Sequence, residues 1–316
     1  MAYKIDTNLL KKLIESIIKD YQTYAPVKKS GNIVFEQISS SANLEFFPDK
    51  TVMSFKKAIL PNPSTITNKD KKIAIIGLPP CDTHALNIFY NQFSHTDILP
   101  DRKNLFILAS ECTPSDKCFC STFNTFKPIG FDLYLQQRKD TLEIIERSKK
   151  GAQYLQNLSL KNPLKSPSII IHQSKDKLNL KNITKLIENR ARFDDFWQRL
   201  SNNCFGCGAC STVCPLCFCT RQDFKNTIDG ESQVCLKWDS CFAKEFSEVQ
   251  FGFDTRPKNV DRLYNWYHHK FVRAPHSFKE FNCVGCGRCI EACPADLNIK
   301  NILHAIIKMG NNKNGS

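Results

Sequence analysis

The sequence predicts an α+β protein in which an amino-terminal mixed α/β domain is followed by a smaller, cysteine-rich domain. Over roughly the first 178 residues, short β-like runs alternate with helical stretches, which is typical of a mixed sheet. After residue 200 the β-signals fade, and 12 of the 16 cysteines follow. A chain of 316 residues that is 41% hydrophobic has enough apolar material for two separate cores.

The amino-terminal domain is expected to begin with an amphipathic helix. Asp6 can cap its first turn, and apolar residues follow at helical spacing from Leu9 to Ile18. This helix is expected to end before Pro26, because proline cannot continue it. A second helical stretch covers Thr83–Phe93. Six further runs are β-like: Asn32–Ile38, Lys72–Leu78, Asn104–Ser110, Phe131–Leu135, Leu142–Glu146 and Ser168–His172.

We place the domain boundary near residue 200. The chain then consists of a mixed α/β domain over 1–178, a connecting helix over 179–200 and a cysteine-rich domain over 201–310. Residues 311–316 are rich in Asn and Gly and are expected to fray. The chain opens without a secretory signal and has no apolar run of about 18 or more residues. We therefore expect a cytoplasmic protein without a membrane span, whose cysteines stay reduced.

The composition and the motif content exclude several classes of protein. The formal net charge is +13, of which residues 201–316 contribute only +3. The chain has no block of five or more basic residues and no nucleic-acid motif, so we expect no binding to nucleic acid. It also lacks G-x-G-x-x-G, G-x-x-x-x-G-K-[ST] and G-x-S-x-G, so we expect neither flavin nor NAD on this chain, and no catalytic nucleophile.

Two segments of the second domain repeat one cysteine pattern. Residues 204–215 and 283–294 both read C-x2-C-x2-C-x3-C-P. This is the run of two-cluster bacterial ferredoxins, in which the fourth cysteine of each motif ligates the other cluster. The spacing assigns the first [4Fe–4S] cluster to Cys204, Cys207, Cys210 and Cys293. The second is assigned to Cys283, Cys286, Cys289 and Cys214.

Zinc is the alternative interpretation, because zinc sites also use C-x2-C pairs. One zinc ion needs only four ligands, which gives no reason for the longer pattern to occur twice. Iron–sulfur clusters are therefore favoured. Four cysteines between the two motifs can form another site or pack as small apolar residues, the commoner fate of a free cysteine. They are Cys217, Cys219, Cys235 and Cys241.

Four more cysteines lie in the first 120 residues. Cys81 and Cys112 each follow an apolar predicted strand, and Cys118 and Cys120 come soon afterwards. Ligands gather at strand ends in α/β folds, and four thiolates are what one cluster needs. The spacing makes these four a candidate third [4Fe–4S] site, although C-x-C is not a standard motif for such a cluster.

Three polar positions near the cysteines have two interpretations each. His84 either ligates or tunes a cluster beside Cys81, or packs against its own helix, which we favour. Arg288 either donates a hydrogen bond towards a cluster sulfur or faces outward. The run from His268 to Lys270 is either a metal or docking patch or, as we expect, an exposed solvated segment.

The order of these motifs resembles that of two related iron–sulfur proteins. One is the β subunit of soluble NAD(P)-linked nickel–iron hydrogenases, or sulfhydrogenases, and the other is the related iron–sulfur subunit of anaerobic sulfite reductase. The resemblance covers essentially the whole chain. It rests on Tyr24–Lys28, Gly77–Asp82, Cys112 with Cys118–Cys120, Gly130–Leu133, Cys214–Cys219, Trp238–Cys241 and Cys283–Cys289.

This resemblance implies a non-catalytic electron-transfer subunit of an oxidoreductase complex. It would relay electrons through [4Fe–4S] clusters between a catalytic subunit, either a nickel–iron hydrogenase or a sirohaem sulfite reductase, and a flavin-bearing, NAD(P)H-reacting subunit. It also implies a carboxy-terminal domain of the α-helical ferredoxin type, and it favours the third cluster at Cys81, Cys112, Cys118 and Cys120.

Two questions stay open at this point. Where the hydrogenase subunits tend to have Gly-Gly-His-Asn, residues 248–257 read EVQFGFDTRP, which leaves the catalytic partner undecided. The alternative function is a redox-sensing or regulatory iron–sulfur protein without a catalytic partner. The lack of a DNA-reading motif counts against that alternative.

Overall fold

The computed structural model describes residues 1–312 except 48–49, 66–67, 94, 159, 161, 166 and 227–231. The chain divides into two compact units. The first comprises Met1–Pro61, Thr65–Asp116 and Asn124–Ser174, and the second comprises Asn62–Ser64, Lys117–Phe123 and Lys175–Ser316. The first unit combines a mixed β-sheet with helices, and the second unit is mainly helical and rich in cysteines. Both agree with the predicted α+β class.

The strands and helices follow one another in a mixed order. The strands are β1 (Ala2–Ile5), β2 (Gln22–Lys29), β3 (Asn32–Ile38), β4 (Ser64–Thr65), β5 (Ile73–Leu78), β6 (Leu105–Ser110), β7 (Leu133–Arg138), β8 (Thr141–Glu146), β9 (Thr220–Asn226), β10 (Ser232–Trp238), β11 (Glu248–Val249) and β12 (Phe253–Asp254). The α-helices are α1 (Thr7–Asp20), α2 (Lys56–Ile59), α3 (Pro80–Gln92), α4 (Lys149–Gln156), α5 (Ile183–Glu188), α6 (Asp194–Asn202), α7 (Ala209–Val213), α8 (Lys244–Ser247), α9 (Asn259–His268), α10 (Ala274–Phe278), α11 (Arg288–Glu291) and α12 (Ile299–Asn312).

A seven-stranded sheet in the order β1-β8-β7-β6-β5-β2-β3 organises the first unit. Strands β2, β5, β6 and β7 run parallel, whereas β3, β8 and β1 pair antiparallel at the two sides. Every residue of β5 and β6 is buried, as central parallel strands require. Helix α1 begins as predicted: the Asp6 carboxylate accepts the Leu9 N–H at 2.8 Å, and Leu10, Leu13 and Ile17 are buried.

Two parts of this unit differ from the sequence prediction. Strand β2 runs through Pro26, which pairs with β3 only, because the pairing with β5 ends at Tyr24. The missing proline N–H therefore removes no bond to β5. The strand predicted over Ser168–His172 is wrong. The side chain of the buried Gln136 bonds the Ser168 carbonyl and the Ile170 N–H, each at 2.9 Å, in place of a neighbouring strand.

The predicted connecting helix is interrupted. Helices α5 and α6 are separated by Asn189 and a 3-10 turn over Arg190–Phe193. The Asn189 side chain accepts the Arg192 N–H at 3.3 Å, so a local side-chain bond competes with the helical pattern. At the other end of the unit, α12 extends to Asn312, beyond the residue at which fraying was expected to begin. Residues 313–316 of the expected frayed tail lie outside the described residues.

Helices and aromatic side chains form the core of the second unit. Trp197, Trp266, Tyr267 and Phe271 are all buried in it, together with Leu303 from α12. The hairpin β9–β10 pairs antiparallel from Thr220 opposite Trp238. Among the residues that the structure describes, no helix is both long and apolar enough to span a bilayer.

Asp132 joins β6 and α4 to the start of β7. Its carboxylate, 5% exposed, accepts the Ile107 N–H at 2.8 Å and the Ser148 hydroxyl at 2.5 Å. Ser148 is the N-cap of α4 and accepts the Gly151 N–H. The aspartate within the Gly130–Leu133 segment therefore has a structural role in the first unit.

We expect Asp132→Ala to lower the free energy of unfolding by about 2–4 kcal/mol, because the buried Ile107 N–H and the Ser148 hydroxyl lose their acceptor. The shift in urea midpoint, measured anaerobically, tests this. Asp70→Ala, at an exposed position, is the matched control and should change the value by less than about 0.5 kcal/mol. Equal effects of the two variants would contradict the role assigned to Asp132.

Candidate iron–sulfur sites

The first cysteine loop, residues 204–215, follows α6 and contains α7. Two side chains from other elements hold it in place. Asn259, at the start of α9, donates its amide to the Cys204 carbonyl oxygen at 2.7 Å. Ser240, the serine of the Trp-Asp-Ser-Cys motif, has its Oγ 2.7 Å from Ser211 Oγ of α7. The motif therefore supports the first loop, a role that its sequence alone did not reveal.

Five cysteines line one cavity beside this loop. Four of them, Cys204, Cys207, Cys210 and Cys293, are those that the spacing assigns to the first cluster, and the fifth, Cys289, belongs to the other quartet. Most of the remaining wall is apolar or aromatic, including Leu263, Trp266 and Tyr267. Cys207 is exposed and the adjacent Phe205 is 72% exposed, so this cavity reaches the protein surface at the tip of the loop.

A second cavity is lined by the other predicted quartet: Cys214, Cys283, Cys286 and Cys289. Phe119 and Lys270 also lie on its wall. Three side chains contribute to both cavities: Trp266, Cys289 and Ile299. The two cysteine quartets therefore lie next to each other, separated by little more than shared side chains.

The segment 117–123 packs directly on the second cysteine loop. The Phe119 N–H donates to the Gly285 carbonyl oxygen at 2.8 Å, and the Cys118 thiol donates to the Cys286 carbonyl oxygen at 3.6 Å. Gly285 has φ +69°, and a Cβ there would come within 2.5 Å of the Phe119 carbonyl oxygen. Only glycine fits at this position, because the two backbones are in contact.

The third predicted quartet is divided between the two units. Cys81, in the first turn of α3, and Cys112, just after β6, lie at the carboxyl edge of adjacent parallel strands. Cys118 and Cys120 are buried in the second unit. Within the described part of the chain, no three His, Cys, Asp or Glu side chains come close enough to hold a single metal ion.

A backbone bulge precedes Cys81. Gly77, with φ +74°, lies where the register of β5 and β6 shifts. A Cβ at Gly77 would come within 2.8 Å of the Pro26 ring. Two of the segments that carry the resemblance, Tyr24–Lys28 and Gly77–Asp82, are thus in contact, and a larger residue at Gly77 would displace the strand end that leads to Cys81.

Burial raises the pKa of four thiols around the cavities. The pKa of Cys210 rises to about 12, and so does that of Cys283. Burial also raises the pKa of Cys204 and of Cys289. These thiols therefore keep their protons at neutral pH unless a cation binds, and loading with iron must release protons.

The segment from His268 to Lys270 is not solvated as expected. Lys270 is only 2% exposed, and burial lowers the pKa of His269 to about 4. For Lys270, burial acts to lower the pKa, but the sulfurs of Cys214 and Cys217 outweigh it and the pKa is raised. The prediction for Lys270 is therefore wrong, because the neighbouring sulfurs stabilise a buried ammonium that sequence periodicity could not reveal.

The other polar positions also have defined surroundings. Arg288 is 2% exposed, which rules out the outward-facing interpretation. His84 Nε2 lies 2.8 Å from the Lys127 carbonyl oxygen in the first unit. Cys235 is buried in β10 opposite Asp223 of β9.

Two more of the unassigned cysteines are in contact. The side chains of Cys219 and Cys241 form a hydrogen bond, which together with burial raises the pKa of Cys241. The Asp239 N–H also donates to the Cys219 carbonyl oxygen, at 2.8 Å. The Trp-Asp-Ser-Cys motif thus closes the base of the β9–β10 hairpin onto Cys219.

Comparisons with known proteins agree with this geometry. Residues 203–297 match the family described as a 4Fe-4S dicluster domain. The chain is 27% identical over 311 residues to sulfhydrogenase 2 subunit beta of Pyrococcus furiosus, an alignment that covers 90% of this chain and 92% of that protein. It is 24% identical over 108 residues to the beta subunit of the F420-dependent formate dehydrogenase of Methanocaldococcus jannaschii, covering 34% of this chain and 21% of that one.

No solved structure matches the chain significantly. The family match covers all eight cysteines of the two quartets and most of the other residues that line the two cavities. The chain is an iron–sulfur protein with a 4Fe-4S dicluster domain over residues 203–297, similar along most of its length to the β subunit of a sulfhydrogenase.

Proposed function

We propose that the chain is the electron-relay subunit of a hydrogenase-type complex. It would pass electrons between a catalytic nickel–iron subunit and a flavin-bearing, NAD(P)H-reacting subunit, without catalysing a reaction itself. The observation that carries the proposal is the pair of adjacent, cysteine-lined cavities in a domain of the 4Fe-4S dicluster family. The similarity to the sulfhydrogenase subunit over 90% of the chain supports the choice of complex.

The residues around the cavities fit [4Fe–4S] clusters in number and chemistry. Each cavity has one complete cysteine quartet, and most of the other wall residues are apolar. Four sulfurs around one zinc ion would converge at about 2.3 Å from a single point, whereas among the described residues no three His, Cys, Asp or Glu side chains come close enough to share one ion. A bound cluster supplies one-electron oxidation and reduction.

The residues of the chain control access to each site. Trp266, Tyr267 and Leu263 form an apolar wall of the first cavity, and burial of a cluster is one of the factors that set its potential. Exposed Cys207 and Phe205 mark the point where this cavity reaches the surface. We propose that electrons are exchanged with a partner subunit there.

The cross-ligation of the two motifs can be tested with four serine variants. Cys207→Ser and Cys286→Ser identify the electron paramagnetic resonance (EPR) signals of the first and second clusters. We expect Cys293→Ser to perturb the same signal as Cys207→Ser, and Cys214→Ser the same signal as Cys286→Ser, because each motif supplies the fourth ligand of the other cluster. The reverse pairing would show that each motif holds its own cluster.

We also propose a third [4Fe–4S] cluster on Cys81, Cys112, Cys118 and Cys120, with neither flavin nor NAD on this chain. The number of cysteines and the resemblance support it, as does the common sheet edge of Cys81 and Cys112. The double variant Cys118→Ser/Cys120→Ser should lose one cluster's worth of iron and acid-labile sulfide. Cys235→Ser, in a buried position outside all three quartets, is the control and should lose none.

Two results would count against the third cluster. One is an unchanged iron content in the double variant. The other is loss of the second cluster instead, detected through its EPR signal, because Cys118 contacts the loop of Cys286.

The partner can be identified by anaerobic affinity purification of the chain from its native cells, followed by metal and cofactor analysis. We expect a flavoprotein and a subunit that contains nickel to copurify. Sirohaem instead of nickel would replace the hydrogenase by a sulfite reductase as the catalytic partner. Recovery of the chain without any flavoprotein would contradict a relay function.

A further inference from the structure

A buried ammonium lies at the second cavity. Lys270 is 2% exposed, and its Nζ lies 3.2 Å from Cys214 Sγ and 3.4 Å from Cys217 Sγ. The third contact is the Asn282 carbonyl oxygen at 3.1 Å. The three N–H bonds of the ammonium therefore each have an acceptor, and none of these acceptors is a carboxylate.

Local structure fixes Lys270 in this position. Residues His269–Arg273 form a π-helical turn between α9 and α10, a feature that occurs frequently at functional sites. Asn282 is fully buried, and its backbone N–H donates to the Lys270 carbonyl oxygen at 3.0 Å. Its side-chain amide donates to the Leu216 carbonyl oxygen, also at 3.0 Å. The Trp266 ring lies 4.8 Å from Nζ.

A buried ammonium without a carboxylate requires negative charge nearby. A bound cluster with its thiolate ligands would supply it, and Cys214, which completes the second quartet from the other motif, lies in contact with the ammonium. Cys217 belongs to neither quartet, yet it shares the same ammonium. The arrangement links an unassigned cysteine to a ligand of the second cluster through one lysine.

We propose that Lys270 is a positioning residue that orients the Cys214 sulfur and raises the reduction potential of the second cluster, with Cys217 as a non-ligand that shares its ammonium. The inference rests on the proposed function, because it requires a cluster in the second cavity. Reduction adds negative charge to the cluster and its sulfurs. A fixed positive charge with an N–H bond to one sulfur favours that state.

Lys270→Met tests this, since methionine has a similar length but neither charge nor donor. The measurement is an EPR-monitored redox titration of the anaerobically purified protein. The reduction potential of the second cluster should fall by about 59 mV or more, which for one electron is a tenfold decrease in the equilibrium constant for reduction. The first cluster should shift less. Lys56→Met replaces a lysine of the first unit that is 3% exposed and should shift neither potential.

Cys217→Ala provides an independent measurement if Lys270→Met fails to load. The ammonium then has Cys214 as its only sulfur acceptor, so the variant should retain full iron and its second cluster should become easier to reduce. Loss of iron in Cys217→Ala would make Cys217 a ligand and overturn the proposal. An unchanged second potential in Lys270→Met, or in Cys217→Ala when Lys270→Met does not load, would also overturn it.

The proposed function and this inference fail in different ways. Wild-type protein without stoichiometric iron and sulfide would contradict the proposed function. Wild-type protein with normal clusters, combined with a Lys270→Met variant of unchanged potentials, would contradict only the role of Lys270.

Discussion

Each of the two cysteine-lined cavities is completed by a cysteine from the other motif. Cys293 closes the cavity of the first loop, and Cys214 closes the cavity of the second. Because the two motifs are far apart in sequence, the chain between them must return residue 283 to the side of residue 214. The hairpin β9–β10 and helices α8–α10 make that return. Helix α9 and the turn that follows it place Leu263, Trp266 and Phe271 in the core.

The hydrophobic core and the candidate cluster sites therefore share side chains. Trp266 and Ile299 belong to the hydrophobic core and also line both cavities. Burial raises the pKa values of the Cys210 and Cys283 thiols, so without iron these two sulfurs stay protonated at neutral pH. Metal binding should therefore be coupled to the folding of this unit, since ligands that converge only in the folded state contribute their binding free energy to stability.

Local patterns predict features that depend on local spacing. The repeated motif predicts two cysteine quartets, whose members line the two cavities, and the cap and apolar stripe predict helix α1, which the structure contains. Features set by distant residues were missed. Strand β2 contains Pro26, which is tolerated because the pairing of β2 with β5 ends at Tyr24. The segment Ser168–His172 is bonded to the side chain of the buried Gln136 and does not form a strand.

The same limit applies at the candidate sites. The contact of Phe119 with Gly285 joins residues that are remote in sequence, and no spacing rule predicts it. Lys270 follows two histidines in a polar run, which indicated an exposed segment. Its burial depends on sulfurs that come from another part of the chain. The supporting roles of Ser240 and Asn259 likewise became evident only from their contacts with the first loop.

Two [4Fe–4S] clusters in neighbouring cavities that share Trp266, Cys289 and Ile299 would lie close enough for their spins to interact when both are reduced. EPR spectroscopy of the protein at partial and at full reduction measures this interaction. We expect a simple signal when one cluster is reduced and a broadened, split spectrum when both are. Two independent signals that merely add at full reduction, or a protein that contains zinc and no acid-labile sulfide, would show that the cavities do not hold two adjacent clusters.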